Sequence, residues 1–531
     1  QGLERFRRCT AIQVWFADDA AAGGRLISLR PFWDKLMSPG PAYGYFPKLS
    51  KTFLVVKPEH RDEAERIFAG TGIKIASDGD NLAHKAGQRH LGAAIGSNAF
   101  IERYLDSKVD AWTAQVDRLA DIAATHPHAA FAGYVFGLRH RWTFLQRTMP
   151  TMGTHMEPLL SAIRSHLLPA LTKHEASDVE MDMVALPARY GGLSLDNPVI
   201  DSSRKHTASV ECTANLATQI ATGGSDLIGS IRQDHEAKTA VQQRHRATLD
   251  TKANEIQSRL PEPQQRAMAL AREKGASSTL TTIPVAEHGF CFDVKSDFHD
   301  HVRMRYCWPL DNLPASCPCG ARYSVDHAQI CKLSGFIHMR HNDPTDFIAS
   351  CMKEVHCDVE VEPKLQPLTG EVLQRRTANT DPDARADLRV RGFWTDSRNA
   401  FFDTRVFYPH ASSYRSRSLS SLYRSFEGEK KRAYGERILH VEHGSFTPLV
   451  FSSCGGMGHE AAITVKRLAS ALAVKRHAPY SQMVCWLRCM LSFSLARSAI
   501  RCVRGSRSIR RRHFDHAPVD LVRAEAQLVV S

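Results

Sequence analysis

Asp383-Ala384-Arg385-Ala386-Asp387-Leu388-Arg389-Val390, followed by Ala400-Phe401-Phe402-Asp403-Thr404-Arg405-Val406, is the pair of segments on which the reading of this chain turns. Each reads as a short strand that presents an acid, and the two acids, Asp387 and Asp403, stand sixteen residues apart. Arg405 lies two positions past Asp403, so strand alternation puts its cation on the same face. Acids at strand ends also occur as plain salt-bridge partners. The neighbouring segments on either side decide between a site and a surface.

Downstream, Glu427-Gly428-Glu429-Lys430-Lys431-Arg432-Ala433-Tyr434 reads as a helix that carries lysines. Upstream, Met339-Arg340-His341-Asn342 opens a helical run to Val355, and Val359 to Pro363 comes after it. Before that comes Cys317-Pro318-Cys319-Gly320, then His327, then Cys331. Two thiolates on a tight turn, with a His/Cys pair one helical turn apart, suit a tetrahedral Zn²⁺ site. With all four ligands from protein, that site would be structural. Cys307 and His338 are nearby spares.

The N-terminal part holds a second acidic feature. Gln13-Val14-Trp15-Phe16 reads as a strand, Asp18 and Asp19 sit at the turn after it, and small residues come next. Two carboxylates at a strand tip suit Mg²⁺, which takes oxygen ligands. Leu29, Phe32, Trp33 and Leu36 have helical spacing. A Ser-Lys-Thr at Ser50 to Thr52 leads into the apolar strand Phe53 to Val56, a helix spans roughly Pro58 to Ala69, and Arg89 to Gly96 reads as a strand with a tight turn. From Phe100 to about Lys173 the pattern is helical, with Val109, Trp112, Val116, Leu119, Ile122 and Ala123 on one face. Leu186-Pro187-Ala188-Arg189-Tyr190-Gly191-Gly192-Leu193-Ser194-Leu195 contains a tight Gly-Gly turn. Residues 199 to 275 are polar, and Pro261-Glu262-Pro263 and Gly275 to Ser278 break the helical runs.

The 531 residues exceed one ordinary core, and 43% hydrophobic content marks a globular chain rather than a disordered one. The net charge of +13 favours a polyanionic partner, with nucleic acid fitting better than membrane. Thirteen scattered cysteines without a signal peptide point to a reducing compartment. The apolar stretch Met483 to Val503 is interrupted by Arg488, Arg497 and Arg501, which makes a poor membrane span. Beyond it, Arg501, Arg504, Arg507, Arg510, Arg511 and Arg512 fall within twelve residues and suit phosphate binding, a nuclear-import signal or a solvated basic face.

In order, these motifs resemble a non-LTR retrotransposon polyprotein of the restriction-like-endonuclease type. Phe16-Ala17-Asp18-Asp19 resembles the palm motif of reverse transcriptases. Lys51 matches a palm lysine near the triphosphate, and Leu91-Gly92 a hairpin that grips the primer. The Leu186 to Pro198 phrase resembles the segment after the thumb. Asp387 and Asp403 are similar to the PD-(D/E)xK nuclease layout, in which two carboxylates hold Mg²⁺ and a cation stabilises the attacking water and the phosphorane charge. Ala386 replaces the proline of that pattern, and Arg405 stands in the lysine position without being able to deprotonate. Lys430 or Lys431, with Tyr434, match the lysine and tyrosine of such nucleases.

The resemblance implies an α+β multidomain chain. The expected parts are a C-terminal portion of a polymerase palm (1–100), a helical thumb (101–200), a polar helical linker (201–312), a zinc knuckle (313–335), a nuclease (336–475) and a basic helical tail (476–531). It implies catalytic Mg²⁺, structural Zn²⁺, and nuclear target-primed reverse transcription with target DNA and element RNA as partners. No membrane is involved, and dNTP is the small-molecule substrate only where the polymerase is whole. Arg340 and His341, with the C-terminal arginines, are the expected nucleic-acid contacts. The sequence starts at Gln1, and Glu4 is the only acid before Asp18. Two-metal nucleotidyl transfer requires a further carboxylate, so the expectation is a chain that nicks DNA but does not itself polymerise. A stand-alone nuclease and a catalytically inactive nucleic-acid-binding relic are the rival readings.

Overall fold

The computed structural model describes residues 11–16, 19–76 and 86–507. Asp18, Arg510, Arg511 and Arg512 lie outside the described residues. The chain is mixed α+β, mainly helical with small sheets. It divides into two units. One gathers residues 1–119, 136–167 and 197–248; the other gathers 120–135, 168–196 and 249–531.

In the first unit, β1 (Ile12–Phe16) and β2 (Asp19–Gly23) form an antiparallel hairpin in which Phe16 pairs with Asp19. Behind it, helix α1 (Leu26–Met37) buries Phe32, Trp33 and Leu36, three of the four residues whose spacing marks it in the sequence. Strand β3 (Phe53–Val55) pairs in parallel with β4 (Lys74–Ala76). Strands β5 (Gly87–His90) and β6 (Ala93–Gly96) are antiparallel across Leu91 and Gly92, both at positive φ, +47° and +90°. Two consecutive left-handed residues make the tight turn that matches strand twist. The Tyr104 hydroxyl, on helix α2 (Asn98–Ala123), donates to Gly92 O at 2.9 Å and holds the turn. Within α2, Val109, Trp112, Val116 and Ala123 are buried as the spacing predicts, but Ile122 is exposed. Helix α3 (Thr143–Thr148) packs on α4 (Pro198–Glu211), where Gln146 donates to Pro198 O and to Ser202 Oγ, each at 3.0 Å.

The second unit is built on a four-stranded sheet in the order β10–β9–β8–β7: β7 (Val359–Val361), β8 (Leu388–Arg391), β9 (Asn399–Phe407) and β10 (Ser445–Ser452). The first three are antiparallel to one another, and β9 and β10 run parallel. A parallel pair requires a crossover, and here it is the 22-residue helix α7 (Leu419–His440). The knuckle helix α5 (Val325–Ile330) and helix α6 (Phe336–Val355) precede the sheet. Helices α8 (His459–Lys475) and α9 (Tyr480–Arg504) come after it.

Alternation along β9 sorts the two layers. Phe402 faces a core with Ile348 and Met352 of α6, Leu468 and Leu472 of α8, and Leu487 and Leu491 of α9. Phe401 and Phe407 face α7 through Ile438 and Phe426. Asp403 and Arg405 share that second face. The apolarity of α9 is thereby explained. It is long and apolar enough to cross a membrane, yet 67% of its apolar window is buried, packed against α6 and α8.

Residues 249–312, read from sequence as polar linker, contribute core instead. Phe298, Tyr306 and Trp308 are buried, and Phe298 stacks on His128 at 4.7 Å. Few apolar residues suffice when they are large aromatics. The Gly-Gly turn is fastened to this segment: Tyr306 OH donates to Gly191 O at 2.9 Å and Ser277 Oγ to Ala188 O at 3.0 Å. Gly191 sits at φ +94°, and a Cβ on Gly192 would lie 2.0 Å from Leu186 O. Backbone against backbone leaves no side chain to give way. Gly192→Ala is expected to cost about 2–4 kcal/mol of unfolding free energy, measured by urea denaturation.

Glu273 joins the same segment to α7, accepting a hydrogen bond from Tyr423 OH at 3.1 Å. Burial pushes its carboxyl up to about 7. A folded-state value above the unfolded one adds stability below about pH 4.5, and that stability is lost as pH rises through 7. Glu273→Gln removes the charge, so it should stabilise the chain by about 2–3 kcal/mol at pH 8 and by less than about 1 kcal/mol at pH 5. Denaturant melts at the two pH values check this.

Candidate metal centre and acidic site

The knuckle forms because the chain turns sharply twice. Cys317 N donates to Ala321 O and Gly320 N to Cys317 O, both at 2.8 Å, with Gly320 at φ +91°. Ser324 caps α5 by accepting from His327 N at 3.0 Å, and Cys331 N returns to His327 O at 2.8 Å. The four donor atoms of Cys317, Cys319, His327 and Cys331 all lie within 4.8 Å of one another. Cys317 Sγ is 3.9 Å from Cys331 Sγ, and Cys319 Sγ is 3.4 Å from His327 Nε2. Zn–S bonds of about 2.3 Å and Zn–N bonds of about 2.0 Å in a tetrahedron give edges of roughly 3.5–3.8 Å, so the cluster could hold zinc. Burial pushes the Cys317 thiol up, while main-chain donation from Ala321 holds that of Cys319 down. Cys307 is not part of this cluster; its Sγ lies 3.9 Å from the His410 ring nitrogens.

The knuckle is tied into its unit on three sides. Cys317, Cys331 and Tyr323 pack with Val503 of α9. Gln329 donates to Ala499 O at 2.7 Å. Asp326 accepts from Tyr408 OH, just past β9, and from Arg415, both at 2.6 Å.

The acidic site lies at the β8–β9 junction. The β8–β9 ladder ends with Leu388 opposite Phe402; just before it Asp387 N donates to Phe402 O at 3.1 Å, and Asp387 lies close enough to Asp403 for its charge to raise that carboxyl. Asp403 is only 4% exposed, and Lys430 of α7 makes an ion pair with its Oδ2. Asp387 Oδ2 accepts from Thr404 N at 2.5 Å and lies 3.2 Å from His341 Nε2. Burial pushes both carboxyls up to about 6, against the pull of Lys430. Burial also lowers the His341 imidazole, favouring the neutral ring. Glu362 lies close to Asp387, its N–H donating to Asp387 O at 2.8 Å, and its charge adds to the rise at Asp387. Two neighbouring carboxyls, Asp403 buried and Asp387 half-buried, with one lysine paired to Asp403, are short of positive charge. A divalent ion with a preference for oxygen would supply it, so the donor set fits Mg²⁺.

Of the nuclease residues marked in the sequence, Asp387, Asp403 and Lys430 converge. Tyr434 stands one turn along, with Lys430 Nζ 5.8 Å from its ring centroid and the ring stacked on Phe446. Lys431, a hundred degrees further round the helix, pairs with Glu460 of α8 instead. Arg405 keeps the face expected of it but not the role. Its guanidinium pairs with Glu429 at 2.8 Å and lies 3.9 Å over the Phe426 ring, so its charge is already neutralised.

Of the nucleic-acid contacts expected from sequence, Arg510, Arg511 and Arg512 lie outside the described residues, and Arg340, Arg504 and Arg507 have partners within the protein. Arg340 is buried, donating to Gln329 O at 2.9 Å and Gln329 Oε1 at 2.7 Å. Arg504 binds the Asp300 carboxylate and Asp311 O. Arg507 binds Tyr323 OH and Ala328 O and packs on Phe336. His341 belongs to the acidic site. In the first unit, Asp19 opens β2 and Lys51 ends a 3₁₀ turn before β3; both are exposed. His341 and Glu362 were the residues whose place in the site sequence did not show; only their position between knuckle and strand marked them.

No protein-family model matches the chain, and no curated protein matches its sequence. Geometry and chemistry carry the functional argument. For the knuckle, the purified chain is expected to bind one zinc ion and Cys331→Ser none, by elemental mass spectrometry. The melting temperature of the variant should fall, because α5 braces α9 and the end of β9.

Proposed function

We propose that the chain is a Mg²⁺-dependent DNA-nicking endonuclease within a retroelement protein of the non-LTR type, acting in target-primed reverse transcription. The observation that supports it best is the convergence of Asp387, Asp403 and Lys430 at one strand junction. In this reading Asp387 and Asp403 would hold a Mg²⁺, which when bound would polarise the scissile phosphate and lower the pKa of an attacking water. Thr404 N and His341 Nε2 both address Asp387 Oδ2 and so hold the carboxylate in place. Lys430, rather than Arg405 or Lys431, faces the reacting centre. Its ammonium offsets the charge that builds on the phosphorane oxygens. The Tyr434 ring lies beside the Lys430 ammonium, 5.8 Å from Nζ to its centroid.

The sheet order with a crossover helix, the knuckle beside it and the acid pair agree with a restriction-like nuclease core. The β1–β2 hairpin with Asp19 at its turn, the β5–β6 hairpin and the Gly191-Gly192 turn agree with the palm and post-thumb parts of a reverse transcriptase. Zn²⁺ in this reading is structural. Target DNA and element RNA are the partners, and the nucleus is where they meet.

The test is nicking of supercoiled plasmid by the purified chain in Mg²⁺. Asp387→Ala and Asp403→Ala should each abolish it, and Lys430→Ala should slow it by about 10²–10³-fold. Arg405→Ala and Lys431→Ala should stay within a few-fold of the unaltered chain. Nicking that survives loss of Asp403, or that depends on Lys431 in place of Lys430, refutes the assignment.

A further inference from the structure

Between β7 and β8 the chain leaves the sheet for residues 363–386 and returns to it at Asp387. The two ends of this excursion are laced together: Ala386 N donates to Pro363 O at 3.2 Å and Leu365 N to Ala384 O at 2.9 Å. Further out, α7 holds it. Arg437, with no exposed surface, donates to Gln366 O at 2.9 Å, Asn379 O at 3.0 Å and Asp381 O at 2.7 Å, gripping both strands of the excursion. Glu436 accepts from the main-chain N–H groups of Gln374 and Arg375, the latter at 3.0 Å. Asn379 N donates to Ala433 O at 2.8 Å, and Glu442 accepts from Gln366 N at 2.6 Å.

A loop of this length without secondary structure is uncommon in a compact unit unless it is functional. This one is fixed by a buried guanidinium and a carboxylate, both spent on main-chain groups. What it projects is therefore held in place. At its outer end Val372 is 90% exposed, and Arg375 and Arg376 are exposed beside it. Glu436, which feels the charge of Arg375, also accepts two main-chain N–H groups. Glu371, just before Val372, is spent on Thr369 N and Oγ1, and an apolar side chain followed three and four residues on by arginines suits a minor groove whose phosphates those cations hold.

We propose that residues 363–386 form a DNA-docking arm. Arg375 and Arg376 hold backbone phosphates of duplex DNA, and Val372 enters the minor groove beside the cut. The proposal rests on the nuclease reading, because the arm springs from Asp387 and is held by the helix that carries Lys430. Duplex seated on the arm is thereby set in register with the acidic site.

The experiment is fluorescence anisotropy of the full chain with a labelled 30-base-pair DNA duplex of mixed sequence, titrated without Mg²⁺ from 50 to 200 mM KCl. Two phosphate contacts contribute about 1.8 to the slope of log affinity against log salt. The double substitution Arg375→Ala/Arg376→Ala should reduce affinity about tenfold or more and lower the slope by about that amount. Val372→Ser should weaken binding several-fold with the slope unchanged. A slope that does not move in the double variant overturns the arm, even where nicking depends on Asp403. A slope that falls as expected in a chain that nicks no DNA upholds the arm and refutes the nuclease reading alone.

Discussion

Two neighbouring carboxylates carried by adjacent strands, one of them almost wholly buried, set the terms for the second unit. Like charges at that spacing and depth resist ionisation together. The surrounding elements answer this from three directions. Lys430 comes from α7 on one layer, His341 from α6 on the other, and Thr404 N from the strand itself. The crossover helix therefore serves the sheet twice. Phe426 and Ile438 cover its apolar face, and Lys430 supplies the cation its acids lack. A protein with no use for the pair could replace it with apolar residues at little cost in stability. Its presence in a packed layer is an argument for chemistry.

Features with local causes were legible in the sequence. The strand around Asp403, the helix of Phe32, Trp33 and Leu36, the Leu91-Gly92 turn and the knuckle ligands all depend on spacing within a few residues. Charges were not legible. Arg340, Arg504 and Arg507 look like free cations in the sequence, and each has partners in the packed chain: Gln329 eleven residues earlier for the first, and the distant Asp300 and Ala328 O for the other two. The choice between Lys430 and Lys431 is of the same kind. Neighbours on a helix point in different directions, and only the packed partners, Asp403 for one and Glu460 for the other, separate them. Residues 249–312 misled for a different reason: their mean polarity hid a few large aromatics that do the packing.

The knuckle is linked to the strand of the acidic pair although Asp387 and Asp403 lie more than fifty positions beyond Cys331. Asp326, beside ligand His327, grips Tyr408 just after the strand of Asp403. A turn that could hold zinc is thus tied to the end of that strand, and a bound ion would stiffen it. Structural and catalytic metals would then serve one geometry by different means, the first fixing backbone and the second acting on substrate.

Strand β9 is paired on both sides, to β8 and to β10, and covered on both faces. Regions of this kind exchange their amide hydrogens only when the whole cooperative unit opens. Asp403 sits in the middle of such a strand, not on a loop that frays by itself. The acid pair therefore shares the fate of the foldon that contains it, and no partly unfolded form of the unit keeps the constellation intact. Heat or denaturant would remove it in one step with the sheet.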